Sequence, residues 1–312
     1  MMALDPILGQ LLQSLRDGGS KPTYEMDLGE ARALGEAMAP LAFTNADEMK
    51  SVRDITVGQL PIRVYVPPEA GEVLTLFFHG GGFVLGSIAS YDRLVRRFAT
   101  LTKSVVASVG YRLAPEHPFP AAAEDALSAL AWAQEALSDG FGLDLRRLAV
   151  AGDSAGGNLA AVVALEARNR TIDLVGQLLA YPATDSNVDT PSMHRFATGY
   201  FLERQEVIWF GEQYYQDEHA LEDWRARPVL EDATGVGPAI IALAGYDPLR
   251  DFGVQYGEHL RAGGVRVSVR DYETLVHGFL SLGDIVPAVR EATTDLFQRF
   301  AQLLSTGELP NG

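Results

Sequence analysis

Apolar residues first recur along the chain at helical spacing. Leu4, Ile7, Leu8, Leu11, Leu12 and Leu15 step by three or four positions and form one stripe of a helix, which Asp17-Gly18-Gly19-Ser20 stops. A second helical stretch runs from about Leu28 to Met38, ahead of Pro40, and strand-like segments follow at Ser51–Val57 and Leu60–Val66. After Glu72 short apolar runs alternate with amphipathic stretches. Strands are predicted at Val73–Phe78, Ser104–Gly110, Leu148–Gly152, Val175–Tyr181, Ala239–Ala244 and Val265–Arg270, and helices at Tyr91–Leu101, Ala121–Leu137, Ala155–Arg168, Phe252–Ala262 and Val286–Leu304. Near-continuous apolar strands separated by helices imply parallel strands covered on both faces, so the expected class is α/β with a doubly wound, mostly parallel sheet.

Residues 185–227 interrupt that alternation. No strand–helix unit is visible there, yet the segment holds Phe196, Tyr200, Phe201, Trp209, Phe210, Tyr214, Tyr215 and Trp224, eight of the chain's 14 Phe, 11 Tyr and 3 Trp. It lies between two sheet strands, where excursions over the carboxyl edge occur, and is expected to form a lid lining an apolar pocket. The other reading is an extra helix packed on the body.

Chemistry enters with three signals. Gly152-Asp153-Ser154-Ala155-Gly156 matches G-x-S-x-G between the apolar strand ending at Ala151 and a helix opening at Ala155, the setting of a strained elbow that presents a nucleophilic serine. His79-Gly80-Gly81-Gly82-Phe83 follows the strand Val73–Phe78; three glycines there are costly in entropy unless backbone N–H groups must point at an anion, as in an oxyanion hole. A phosphate loop is the competing reading, but neither G-x-x-x-x-G-K-[ST] nor G-x-G-x-x-G is present.

A serine nucleophile needs a base. Of the six histidines, His79 is inside the glycine motif, His117 lies in a proline-rich run, His194 and His219 fall in the insert, and His259 is expected to be solvated on a helix face. His277 follows the last strand region and precedes Gly278-Phe279, at the carboxyl edge. The acid should fall between serine and base in chain order. Asp247 follows the strand Ala239–Ala244 and is the first candidate; Asp251 and Asp185 are the others.

Together these motifs resemble the hormone-sensitive-lipase-like carboxylesterases (bacterial lipase family IV) of the α/β-hydrolase fold. The matching residues are His79-Gly80-Gly81-Gly82-Phe83, the run from Tyr111 to Ala121, Gly152-Asp153-Ser154-Ala155-Gly156-Gly157, Asp247-Pro248-Leu249-Arg250-Asp251 and His277-Gly278-Phe279. Phe252 departs from the pattern, which more often has Glu there. The resemblance implies a triad of Ser154, Asp247 and His277. It also implies an oxyanion hole from the backbone N–H groups of Gly81, Gly82 and Ala155, with His79 bracing the glycine loop. It further implies N-terminal cap helices over residues 1–45, a catalytic domain over 46–184 and 228–312, and a cap insert over 185–227, all one structural unit. The implied reaction is hydrolysis of carboxylic esters through an acyl-enzyme, and the aromatics of the insert with the lack of a long interfacial apolar helix favour short- to medium-chain esters. No cofactor or metal is needed, the partner is a small-molecule ester, and a homodimer is possible. An amidase or peptidase on the same triad is the alternative enzyme. A non-catalytic small-ligand-binding protein is the other alternative; the plant gibberellin receptors that resemble this family have lost the base, whereas His277 is present.

Composition narrows the rest. The 312 residues carry 41 Asp+Glu against 25 Lys+Arg, a formal net charge of −16 that repels phosphate backbones and anionic lipid, so no nucleic-acid or membrane partner is expected. With no cysteine, thiol nucleophiles, disulfides and Cys-ligated metals are ruled out. No apolar run approaches the ~18 residues of a membrane span. The stretch Met1 to Leu15 lacks a basic leader and carries Asp5 and Pro6, so a cytoplasmic protein is expected.

Overall fold

A computed structural model describes residues 2–139 and 144–310; Met1, residues 140–143 and the last two positions, which fall within the predicted domain ranges, lie outside the described residues. Two helices, α1 (Pro6–Asp17) and α2 (Leu28–Ala42), precede an eight-stranded sheet. Asp5 caps α1 by accepting from the N–H groups of Ile7 and Leu8, and Asp27 caps α2 through Gly29. The second helix runs past Pro40 to Ala42; a proline in the last turn removes a single intrahelical bond near the helix end, so it does not stop the helix where the sequence suggested.

The strands are β1 (Ser51–Val57), β2 (Leu60–Val66), β3 (Val73–Phe78), β4 (Val105–Val109), β5 (Arg147–Asp153), β6 (Leu174–Ala180), β7 (Ala239–Tyr246) and β8 (Val267–Val276). Their spatial order is β1-β2-β4-β3-β5-β6-β7-β8; β1, β2 and β4 pair antiparallel and every pair from β4 to β8 is parallel. Alternate residues of each central strand feed opposite faces. Leu74, Leu76, Phe78, Leu148, Val150, Ile241 and Leu243 pack with α4 (Ala121–Asp139), α5 (Ala155–Asn169) and α8 (Arg250–Ala262). Val73, Phe77, Ala149, Ala151, Ile240 and Ala242 face α3 (Asp92–Thr102) and α9 (Pro287–Thr306). This is the doubly wound, mostly parallel α/β sheet that the pattern predicted, arranged as the resemblance to α/β hydrolases implies, and it brings the carboxyl ends of β3, β5, β7 and β8 to one edge.

Two expectations are corrected. The last strand runs Val267–Val276 instead of Val265–Arg270: it is the edge strand and only half-buried up to Thr274, so Arg270, Asp271 and Glu273 are accommodated on its two faces and hide it from a search for apolar runs. His259 is not solvated; it is half-buried and its Nε2 meets the Glu231 carbonyl at 2.7 Å.

Residues 185–227 form two short helices, α6 (Pro191–Arg195) and α7 (Arg204–Tyr214). They touch the N-terminal segment directly. Arg16 donates to the Gly199 carbonyl at 3.2 Å, and the Thr23 N–H donates to Glu206 at 3.1 Å. Glu206 also completes a capping box with Glu203 at the start of α7, which fixes the helix that carries Trp209 and Phe210.

Candidate active site

Ser154 stands between the last residue of β5 and the first of α5 with φ 53° and ψ −119°, a conformation that non-glycine residues rarely adopt. The chain around it over-determines that strain. Its N–H donates to the Ala180 carbonyl at 2.9 Å, while its carbonyl accepts from Asn158 and Ala183. A Cβ at Gly156 would run into the Phe78 carbonyl, so helix and strand can approach this closely only through glycine. Ser154 is half-buried at the carboxyl edge.

Asp247 is fully buried directly after β7. One carboxylate oxygen accepts the Leu249 N–H at 2.7 Å and so shapes its own loop; the other lies 2.8 Å from His277 Nδ1. His277 Nε2 lies 2.9 Å from Ser154 Oγ. With the imidazole proton on Nδ1 and donated to Asp247, the Nε2 lone pair is left to accept from the serine hydroxyl. The serine lies 123 positions from the histidine in sequence and the aspartate 30, yet the three meet in one chain of hydrogen bonds. Tyr181, the residue after β6, packs its ring 4.7 Å from that of His277.

The other candidate acids are engaged elsewhere. Asp251 accepts from the Ser192 N–H at 2.9 Å and ties α8 to α6, and Asp185 pairs with Arg227 at 2.6 Å. Burial pushes His79 down to about 4, so it stays neutral; its Nδ1 sits 2.8 Å from the Gly80 carbonyl and its ring stacks on Tyr111 at 4.3 Å. His79 therefore touches the glycine loop and not Ser154.

That loop turns sharply after β3, with Gly81 at φ 115° and its carbonyl accepting from Val84 and Leu85. Among the described residues, the N–H groups of Gly81, Gly82 and Ala155 donate to no other protein group, which leaves them free for a ligand. The helix dipole of α5 adds partial positive charge at Ala155. A Cβ at Gly82 would collide with the ring of Phe210, and one at Gly278 would touch Phe201 at 3.5 Å. Two aromatics of the insert therefore lie against the glycine loop and the residue after His277. Aromatic enrichment identifies the segment in the sequence, but nothing in it singles out these two rings. Tyr214, by contrast, is core, stacked on Phe83 at 3.9 Å. No group of three or more His, Asp or Glu among the described residues is placed to hold a metal ion.

A family model for the alpha/beta hydrolase fold matches residues 75–281. The chain belongs to this family. It is similar to the esterase LipI of Mycobacterium tuberculosis, 44% identical over 93% of this chain and 92% of that protein, and to an ethyl acetate hydrolase of Pseudomonas putida, 36% identical over 97% and 100%. Among solved structures it is similar to a thermostable esterase from Pseudomonas putida, with a TM-score of 0.91 at 32% identity, covering 98% of this chain and 99% of that one. In this α/β hydrolase, no helix among the described residues is long and apolar enough to cross a membrane.

Proposed function

We propose that this hydrolase is a serine carboxylesterase with Ser154 as nucleophile, His277 as general base and acid, and Asp247 as the orienting carboxylate. The observation that carries the reading is the continuous Asp247–His277–Ser154 hydrogen-bond chain at 2.8 and 2.9 Å, beside a loop with unengaged N–H groups. Esterase relatives over nearly the full chain support the reaction class.

Ser154 Oγ attacks the ester carbonyl carbon while His277 Nε2 takes its proton, and Asp247 stabilises the resulting imidazolium without being protonated. The N–H groups of Gly81, Gly82 and Ala155 receive the oxyanion; a single such donor is typically worth ~10²–10³ in turnover. Collapse breaks the bond to the alcohol oxygen, which leaves with the proton from His277. Water then attacks the acyl-Ser154 ester with His277 again as base, releasing the carboxylic acid and restoring the serine.

Residues 1–45 and 185–227 act together as a cap over this site, supported by the Arg16–Gly199 and Thr23–Glu206 contacts and by Phe210 lying on Gly82. Rings this close to the reacting carbonyl favour short- to medium-chain esters. A homodimer follows from the resemblance, and cytoplasmic residence extends the expectation from the sequence; sedimentation and cell fractionation test them. The primary test is hydrolysis of p-nitrophenyl esters from acetate to palmitate by wild type and Ser154→Ala. Activity should peak at short or medium chains and vanish in the variant; a peak at palmitate, or survival of activity in the variant, would overturn the reading.

A further inference from the structure

One buried ionisable group beside Ser154 has no part in the acyl-transfer steps. Asp153, the first variable position of the G-x-S-x-G motif, is 2% exposed, and among the described residues no Lys or Arg pairs with it. An unpaired carboxylate in the interior is costly unless its oxygens are well hydrogen-bonded. Oδ1 accepts the Gly80 N–H at 2.9 Å, and Oδ2 accepts the Tyr91 hydroxyl at 3.0 Å, with the Tyr181 hydroxyl at 3.5 Å. These contacts belong to separate loops. Gly80 opens the glycine loop after β3, Tyr91 precedes α3, and Tyr181 follows β6.

Both tyrosines continue the network to the loop that carries the base. The Tyr181 hydroxyl accepts the Leu280 N–H at 3.3 Å, and the Ser281 side chain lies beside the Tyr91 hydroxyl. Leu280 and Ser281 follow His277 by three and four residues. Gly80 is shaped to the same end: a Cβ there would stand 2.6 Å from Asp153 Oδ2 and 2.9 Å from the Tyr91 hydroxyl, so a side chain would displace the network.

We propose that Asp153 is a positioning residue for the hydrolytic reaction, whose carboxylate sets the glycine loop and, through Tyr91 and Tyr181, the His277 loop relative to Ser154. The inference rests on the reading of Ser154 as nucleophile and of the glycine loop as oxyanion donor. A charged acceptor holds the Gly80 N–H more firmly than a neutral one. It thereby fixes the peptide immediately before the Gly81 and Gly82 donors. Displacing them by a fraction of an ångström weakens contacts made chiefly in the transition state, so the cost falls on kcat and leaves KM alone.

The test uses the full-length protein with Asp153→Asn, Tyr91→Phe and Tyr181→Phe, each measured for kcat and KM on p-nitrophenyl butyrate. Each is also titrated with an aryl trifluoromethyl ketone, which adds to a serine and places an oxyanion in the hole. For Asp153→Asn, kcat should fall ~10–100-fold, less than complete loss of an oxyanion donor, with KM within about threefold. Ketone affinity should weaken in proportion to kcat. A kcat within about twofold of wild type overturns the proposal, as does a fall in kcat with ketone affinity unchanged. Should Asp153→Asn fail to fold, the two Tyr→Phe variants decide: parallel losses in kcat and ketone affinity sustain the proposal, and wild-type values in both overturn it. Ser154→Ala separates the two levels. An active Ser154→Ala defeats the nucleophile reading, whereas an inactive one alongside a wild-type-like Asp153→Asn defeats this inference alone.

Discussion

The same carboxylate makes a quantitative prediction about stability. Desolvation by burial raises Asp153 from the ordinary 3.8 to about 6, against the opposing effects of its hydrogen bonds and of His277. The groups facing it are Tyr91 before α3, Tyr111 after β4, Tyr181 after β6 and His277 after β8, with Asp247 beyond Tyr181. A carboxyl that holds its proton more tightly folded than unfolded stabilises the fold at low pH. That contribution is complete below about 4 and is lost as pH rises through about 6. The difference of about two units corresponds to about 3 kcal/mol between the protonated and ionised extremes. Asp153→Asn mimics the neutral acid at every pH. The variant should match wild type near pH 4 and exceed it at pH 8 by about 3 kcal/mol, or about 4–5 °C in Tm for a chain of this length. Thermal unfolding of both proteins across pH 4.5–8 measures this. A variant less stable than wild type at pH 8, or a difference that does not change with pH, would refute the reasoning. Gained stability alongside lost turnover is the signature of a group retained for activity.

Three further substitutions probe the surroundings of the site. Phe210→Ala removes the ring lying on Gly82 and should shift the preferred p-nitrophenyl ester toward longer acyl chains, with discrimination changing by ~1–3 kcal/mol; an unchanged chain-length profile would place that ring outside the acyl path. Arg32 on α2 donates to the carbonyls of Val84 at 3.0 Å and Ala114 at 2.9 Å and pairs bidentately with Glu116. Arg32→Ala should lower stability by ~1–3 kcal/mol in urea unfolding, mostly through the two stranded carbonyls, and Glu116→Gln by under ~1 kcal/mol because that pair is half-exposed.

Much of this fold and site is legible in the amino-acid sequence. The central strands are apolar on both faces, so their positions follow from the hydrophobic runs alone, and residues at their carboxyl ends have to share one edge. That logic puts Ser154, Asp247 and His277 in one place. It fails where burial is partial or where tertiary contacts decide. The half-buried edge position of β8 admits Arg270, Asp271 and Glu273 and so conceals its second half, and the Glu231 carbonyl that engages His259 lies 28 residues away. Aromatic density marks residues 185–227, but whether a ring lines the site, as Phe210 does, or fills the core, as Tyr214 does, depends on the angle of α7, which Glu203 and Glu206 set. In the sequence Asp153 is one of the two variable letters of G-x-S-x-G, with no role assigned to it. Its partners Gly80, Tyr91 and Tyr181 come from three segments that only the assembled sheet brings together.

The central claim is that Ser154 is acylated during turnover. Reaction with diethyl p-nitrophenyl phosphate, followed by peptide mass spectrometry, tests it most directly because the phosphoryl group stays on the attacking oxygen. The account predicts one label per chain, located on Ser154, with activity lost in step with labelling and no label in Ser154→Ala. Stoichiometric labelling at another residue, or full activity in a chain labelled at Ser154, would contradict it.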